Sequence, residues 1–163
     1  MIFRTTSASI ALAFAIGLLL SQSGAPAIAG PFTGLAGNWS GDGKLVSSSG
    51  SERLRCRANY SVGQDGETLN ISIRCASDSY KFDLSGYMIH TNGTISGKWS
   101  EPNYNSAGTL SGSVRGSQIS ALAIGNTFSA RLSMTTGGSR MSVTIRPEAT
   151  DVKQVSLSLF RKR

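Results

Sequence analysis

Residues Ser51 to Val62 read S-E-R-L-R-C-R-A-N-Y-S-V, and seven positions beyond Val62 the chain continues L-N-I-S-I-R-C, Leu69 to Cys75. Leu54, Cys56, Ala58, Tyr60 and Val62 alternate with polar or charged residues, as do Leu69, Ile71, Ile73 and Cys75. A period of two marks strands with one buried face. The G-Q-D-G-E between them (Gly63 to Glu67) is turn material. In an antiparallel hairpin, opposed residue numbers have a constant sum. A sum of 131 sets Cys56 against Cys75, Ala58 against Ile73, Tyr60 against Ile71 and Val62 against Leu69. A one-residue slip would turn the whole apolar set to the wrong face. The same register predicts a disulfide between Cys56 and Cys75, at a separation that opposed strand residues can bridge. Closing a loop of 20 residues, it contributes about 3 kcal/mol in the chain-entropy account.

The same alternation recurs along the chain. Trp39–Leu45 precedes the hairpin, and Tyr80–Leu84 running on to His90 follows it, then Ile95–Trp99, Leu110–Val114 and Ile119–Ala123. Phe128–Met134, Met141–Ile145 and Val155–Leu159 complete ten predicted strands. Matching apolar residues across each turn suggests Leu45 opposite Leu54, Ile73 opposite Phe82, a turn on Asn92-Gly93, Ala121 opposite Ala130 and Leu132 opposite Val143. Ten sequential strands with one apolar face must close or fold over. The expected fold is all-β, an antiparallel up-and-down meander closed into a small barrel. A two-sheet sandwich built from the same meander is the alternative.

At Leu35 to Gly41 the chain reads L-A-G-N-W-S-G, so that Gly37-x-Trp39 enters the first strand. With the meander, this resembles calycin-like small β-barrel proteins: lipocalins, fatty-acid-binding proteins, avidins and bacterial metalloprotease inhibitors. The resemblance implies a barrel with Trp39 closing one end. Ten strands depart from the eight of most members.

Residues 1–29 carry one charge, Arg4, an apolar run from Ile10 to Leu20, and Ala27-Ile28-Ala29 at the end. That is the layout of a secretory signal peptide cut before Gly30, too short in its apolar run for a membrane span. Removing 29 of the 163 residues leaves 134, a single domain over 30–163 with no transmembrane segment. The protein is accordingly expected to be exported, periplasmic or extracellular, where its cysteines can oxidise. Without Arg4 the 9 acidic side chains face 15 basic ones, a formal charge of +6.

If Cys56 points inward, Arg53, Arg55, Arg57 and Arg74 point out. Placed by the registers above, Arg57, Arg74 and Lys81 form one cross-strand row, with Lys44 opposite Arg55 and Asp42 opposite Arg57. Like charges in one row cost stability. The row suggests a face for anionic groups, which Arg can hold bidentately. The expected function is non-enzymatic binding through Lys44, Arg53, Arg55, Arg57, Arg74 and Lys81. The partner classes are an anionic glycan, a lipid head group or an acidic protein surface. Nucleic acid is not expected, since no aromatic residues interleave with the basic ones.

Inward positions mix glycines and alanines with large aromatics, which suits either a filled barrel or a small apolar ligand in a cavity lined by Trp39, Tyr60, Trp99 and His90. The family resemblance adds inhibition of a secreted protease as a further alternative. The sequence carries no nucleophile elbow, histidine cluster or phosphate loop. The expectation is therefore no enzyme activity, no cofactor, no metal and no catalytic residue.

Overall fold

A computed structural model describes residues 29–163. The signal-peptide reading of residues 1–29 lies, apart from Ala29, outside the described residues. Ten antiparallel strands follow in chain order. They are β1 (Gly37–Ser47), β2 (Gly50–Val62), β3 (Thr68–Ala76), β4 (Lys81–Thr91) and β5 (Thr94–Glu101), then β6 (Ser106–Arg115), β7 (Gln118–Gly125), β8 (Ser129–Gly137), β9 (Arg140–Glu148) and β10 (Val152–Arg161). Each pairs with its neighbours in sequence, and β10 pairs with β1, so the sheet closes into a barrel. Closure removes both edges. The all-β barrel and the Cys56–Cys75 disulfide across β2 and β3 both stand as expected.

The side-chain polarity is the reverse of that in a membrane barrel. Inward residues such as Leu54, Leu69, Ile95, Met141 and Leu159 are buried, whereas serines, threonines and arginines face outward. Among the described residues, no helix is long and apolar enough to cross a membrane.

The registers of β2–β3 and β4–β5 agree with expectation. Four others are displaced by two residues. Leu54 lies opposite Gly43 rather than Leu45, and Leu84 rather than Phe82 lies opposite Ile73. Ala121 faces Leu132, and Leu132 also faces Ile145 rather than Val143. The tight turns therefore fall on Asn126-Thr127 and Gly138-Ser139, one position beyond the expected ones. A two-residue shift keeps every side chain on its face, so alternation alone does not distinguish the two registers.

Along β4–β6 the lumen sets large residues opposite small ones: Trp99 lies between Gly86 and Gly108, Met88 and Leu110 flank Gly97, and Ile95 faces Gly112. Some inward glycines also permit close strand approach. A Cβ on Gly41 would collide with the Ser158 carbonyl, and one on Gly108 with that of Ile124. Such positions let a strand bend sharply. Ten strands can thereby surround a packed interior rather than a wide channel.

One end is plugged. A 3-10 turn at Thr33–Leu35 folds under the barrel and brings Phe32, Leu35 and Trp39 into the core at 0–1 % exposure. Trp39 Nε1 donates to the Leu35 carbonyl at 2.8 Å. The Gly30 and Phe32 amides donate to the carbonyls of Asp65 and Gly66, and Arg161 Nη2 donates to the Gly34 carbonyl from the far side. Near the opposite end, Phe82, Leu84, Phe128, Leu132 and Ile145 face inward but remain partly exposed.

Candidate functional site

The outer faces of β1–β4 form an open groove of about 1340 Å³, which also reaches Asn103 and Lys162. The corrected registers decide which cations meet there. Arg57 pairs with Ser40 on one side and Arg74 on the other, and Arg74 pairs with Asp83 rather than Lys81. The expected row of three cations is thus Arg57–Arg74–Asp83, with an ion pair at 3.1 Å closing it. Lys81 belongs one row along, where Arg55, Ala76 and Lys81 are successive partners. Asp42 lies opposite Arg55, not Arg57, and its carboxylate bonds Arg53 at 3.2 Å. Lys44 lies opposite Arg53, not Arg55.

Arg55, Arg57, Arg74 and Lys81 therefore line the groove, whereas Arg53 and Lys44 lie outside it. Lys162 adds a fifth cation: its amide donates to the Asn38 carbonyl at 2.8 Å, where the chain end closes against β1. Against these five stand Asp42 and Asp83, a formal excess of three positive charges. Among the described residues, Arg55, Arg57, Lys81 and Lys162 have no carboxylate within ion-pair distance. Ser40, Ser72 and the pair Asn59 Nδ2 to Asn38 Oδ1 at 2.9 Å add uncharged polar groups to the groove.

Sequence reasoning passed over Glu101, which anchors the groove's end. It is 5 % exposed, and its carboxylate accepts from the Asp83 amide at 2.7 Å, the Tyr104 amide at 2.8 Å and Asn103 Nδ2 at 2.9 Å. A 3-10 turn, Pro102–Tyr104, is thereby fastened to β4 beside the groove. The signal was present in the alternation: Ile95, Gly97 and Trp99 point inward, so the next carboxylate in phase does as well. This clip holds an aromatic stack, with Phe82 parallel to Tyr80 at 6.1 Å and tilted against Tyr104 at 5.7 Å. Tyr80 donates to Asp151 at 2.7 Å, and that bond raises the phenol above its ordinary range.

The four residues expected to line an interior cavity do not form one wall. Trp39 packs edge-on against Tyr60 at the plugged end, with its indole N–H satisfied. His90 packs against Phe32, bonds Glu67 through Nδ1, and accepts the Gly93 amide at Nε2 at 2.8 Å. Because Nε2 accepts, the ring proton sits on Nδ1 and points at the carboxylate. Trp99 lies in the same inward row as Tyr60, three strands removed past Ile71 and Gly86, and packs on Phe128. Tyr60 Oη and Trp99 Nε1 are buried without a hydrogen-bond partner. Burial pushes the Tyr60 phenol well above its ordinary range.

Comparison with protein-family models and with curated proteins finds no match to this sequence. The closed barrel is compatible with the resemblance carried by Gly37 and Trp39 at the level of architecture, and nothing singles out the calycin group.

Proposed function

We propose that the protein is a non-enzymatic, exported binding module whose groove over β1–β4 holds anionic groups of the cell envelope or its surroundings. The observation that carries this reading is the convergence on one open groove of four cations without carboxylate partners among the described residues. Exposed ion pairs are worth little, so Arg74 can exchange Asp83 for a ligand at small cost. The disulfide is consistent with the oxidising compartment that export would provide. Replacing Arg55, Arg57 and Lys81 together by Ser should weaken binding to an anionic polymer roughly tenfold and flatten its salt dependence. Unchanged affinity with an unchanged salt slope overturns the proposal.

A second reading, a carrier of a small apolar ligand, is favoured by the unpartnered Tyr60 and Trp99 donors and by the partly exposed inward Leu84, Leu132 and Ile145. Both donors could meet an acceptor on such a molecule. Native mass spectrometry of protein from its own source decides: a bound mass supports this reading, and a bare protein mass removes it.

A further inference from the structure

We propose that His90 makes the plugged end of the barrel acid-responsive: on taking up a second proton its ring keeps Glu67 and releases the β4–β5 turn. The chain's one histidine lies on β4 with its side chain only 15 % exposed, so its partners are protein groups. Its backbone amide donates to the Glu67 carbonyl at 2.8 Å, and its ring packs edge-on against Phe32 of the plug. Both ring nitrogens are committed. Nδ1–H points at the Glu67 carboxylate, and Nε2 accepts the Gly93 amide at 2.8 Å. A backbone amide can only donate, so this arrangement admits the neutral ring alone, in one tautomer. A second proton has to go to Nε2, where it meets another donor. The Gly93 bond is then lost.

That bond anchors more than one residue. Asn92 and Gly93, with φ of 50° and 80°, form the two-residue turn between Thr91 and Thr94. The Gly93 carbonyl in turn accepts the Val114 amide of β6 at 3.0 Å, so the turn links the histidine to the next hairpin. On the ring's other side, the Gly30 and Phe32 amides bond the carbonyls of Asp65 and Gly66, in the turn that carries Glu67. A charged ring holds the Glu67 carboxylate more strongly than a neutral one. Of the charged groups near the ring, Glu67 faces it directly, and the Asp65 carboxylate is taken by the Glu67 amide at 2.9 Å. Phe32 from the plug and Ile95 from β5 bring no charge, and Arg115, next after the inward Val114, lies on the outer face of β6. The carboxylate draws the second proton in while the Gly93 amide stands against it. Proton uptake and release of the turn are therefore one event.

The test follows hydrogen exchange at the Gly93, Val114 and Phe32 amides from about pH 8 to about pH 5, the window in which imidazoles titrate. Each rate is corrected for the intrinsic pH dependence of exchange. Corrected exchange at Gly93 and Val114 should rise roughly tenfold in acid, the scale of one hydrogen bond left unmade, while Phe32 keeps its protection. His90→Gln should abolish the rise at both amides. Glu67→Gln keeps an acceptor for Nδ1–H but removes the charge that attracts the proton, and should move the rise to lower pH. Unchanged protection at Gly93 across the range overturns the proposal. So does a rise that persists in His90→Gln, or one shared equally by Phe32 and the rest of the barrel, which is global unfolding. If His90→Gln does not fold, the imidazole nitrogen resonances of the unaltered protein decide. Protonation at Nε2 should coincide with the change at the Gly93 amide, and two separate transitions overturn the link.

Discussion

The two ends of the barrel are closed by different chemistry. At the plugged end Phe32, Leu35, Trp39, Leu69 and Leu159 fill the space at 0–1 % exposure, and backbone bonds tie the entering chain to the 63–67 turn. Near the other end, inward aromatics stay partly exposed, and one buried carboxylate, Glu101, holds the covering turn in place. Apolar filling resists local opening because every displaced side chain exposes area. A polar clip holds geometry with few atoms and can open without disturbing the rest. The candidate ligand groove runs from Asn38 and Lys162 beside the plug to Lys81 and Asn103 at the second end. A rigid plug opposite an adaptable rim is a sensible division for a binding module.

That contrast can be broken most directly at Phe32. Its replacement by Ala should cost about 3–5 kcal/mol, since it empties a fully enclosed site. Equilibrium urea unfolding reads the loss as a lower midpoint at unchanged slope. A cost below 1 kcal/mol would mean that the 30–35 segment rests on the barrel without closing it.

Next in size is the disulfide. Replacing Cys56 and Cys75 together by Ser should cost about 3 kcal/mol and leave the β2–β3 register intact. Ala58–Ile73, Tyr60–Ile71 and Val62–Leu69 specify that register independently. Amide exchange on β2 and β3 checks this: their protection should fall only with global stability. Preferential loss on these two strands would show that the bridge itself sets the pairing.

Glu101→Ala addresses the rim. It strips the Asp83 and Tyr104 amides of their acceptor, costing about 1–3 kcal/mol. The loss should be local, with exchange and proteolysis rising over residues 102–105 while amides of the plug keep their protection. Equal loss at both ends would erase the distinction between them.

The legibility of the sequence divides along the same physical lines. Alternation states which face a residue takes, so strand number, the disulfide and the outward set of arginines could all be read from residue order, whereas one apolar face demands closing or folding over without choosing between them. It does not state register beyond multiples of two. Pairing like with like placed Leu45 against Leu54, whereas the barrel sets Leu54 against Gly43 and Leu45 against Glu52. That two-residue difference is small for the fold and large for the site. It moves Asp83 into the row that Lys81 was expected to complete, and it carries Asp42 from Arg57 to Arg55. Glu101, Asn103 and Lys162 entered the site through tertiary placement, although Glu101 was in phase with the inward face.

The smallest expected effect concerns Tyr60 Oη, which with Arg161 Nε is one of two buried polar groups at the plugged end without a partner among the described residues. Tyr60 Oη is buried without a partner beside Trp39. Replacing an unsatisfied hydroxyl with hydrogen removes a desolvation cost and leaves little empty space. Tyr60→Phe should therefore change stability at neutral pH by less than about 1 kcal/mol, in the stabilising direction. The alkaline limb separates the variants more clearly. Burial raises the folded phenol, so above about pH 10, the ordinary tyrosine range, the unfolded chain releases a proton that the folded chain keeps. Stability contributed by the neutral phenol is complete below that pH and falls as pH rises through it. Tyr60→Phe should lose this part of the alkaline destabilisation. If the variant is instead less stable at neutral pH, the hydroxyl has a partner in solution, a further polar contact beside that of Trp39 Nε1 with the Leu35 carbonyl.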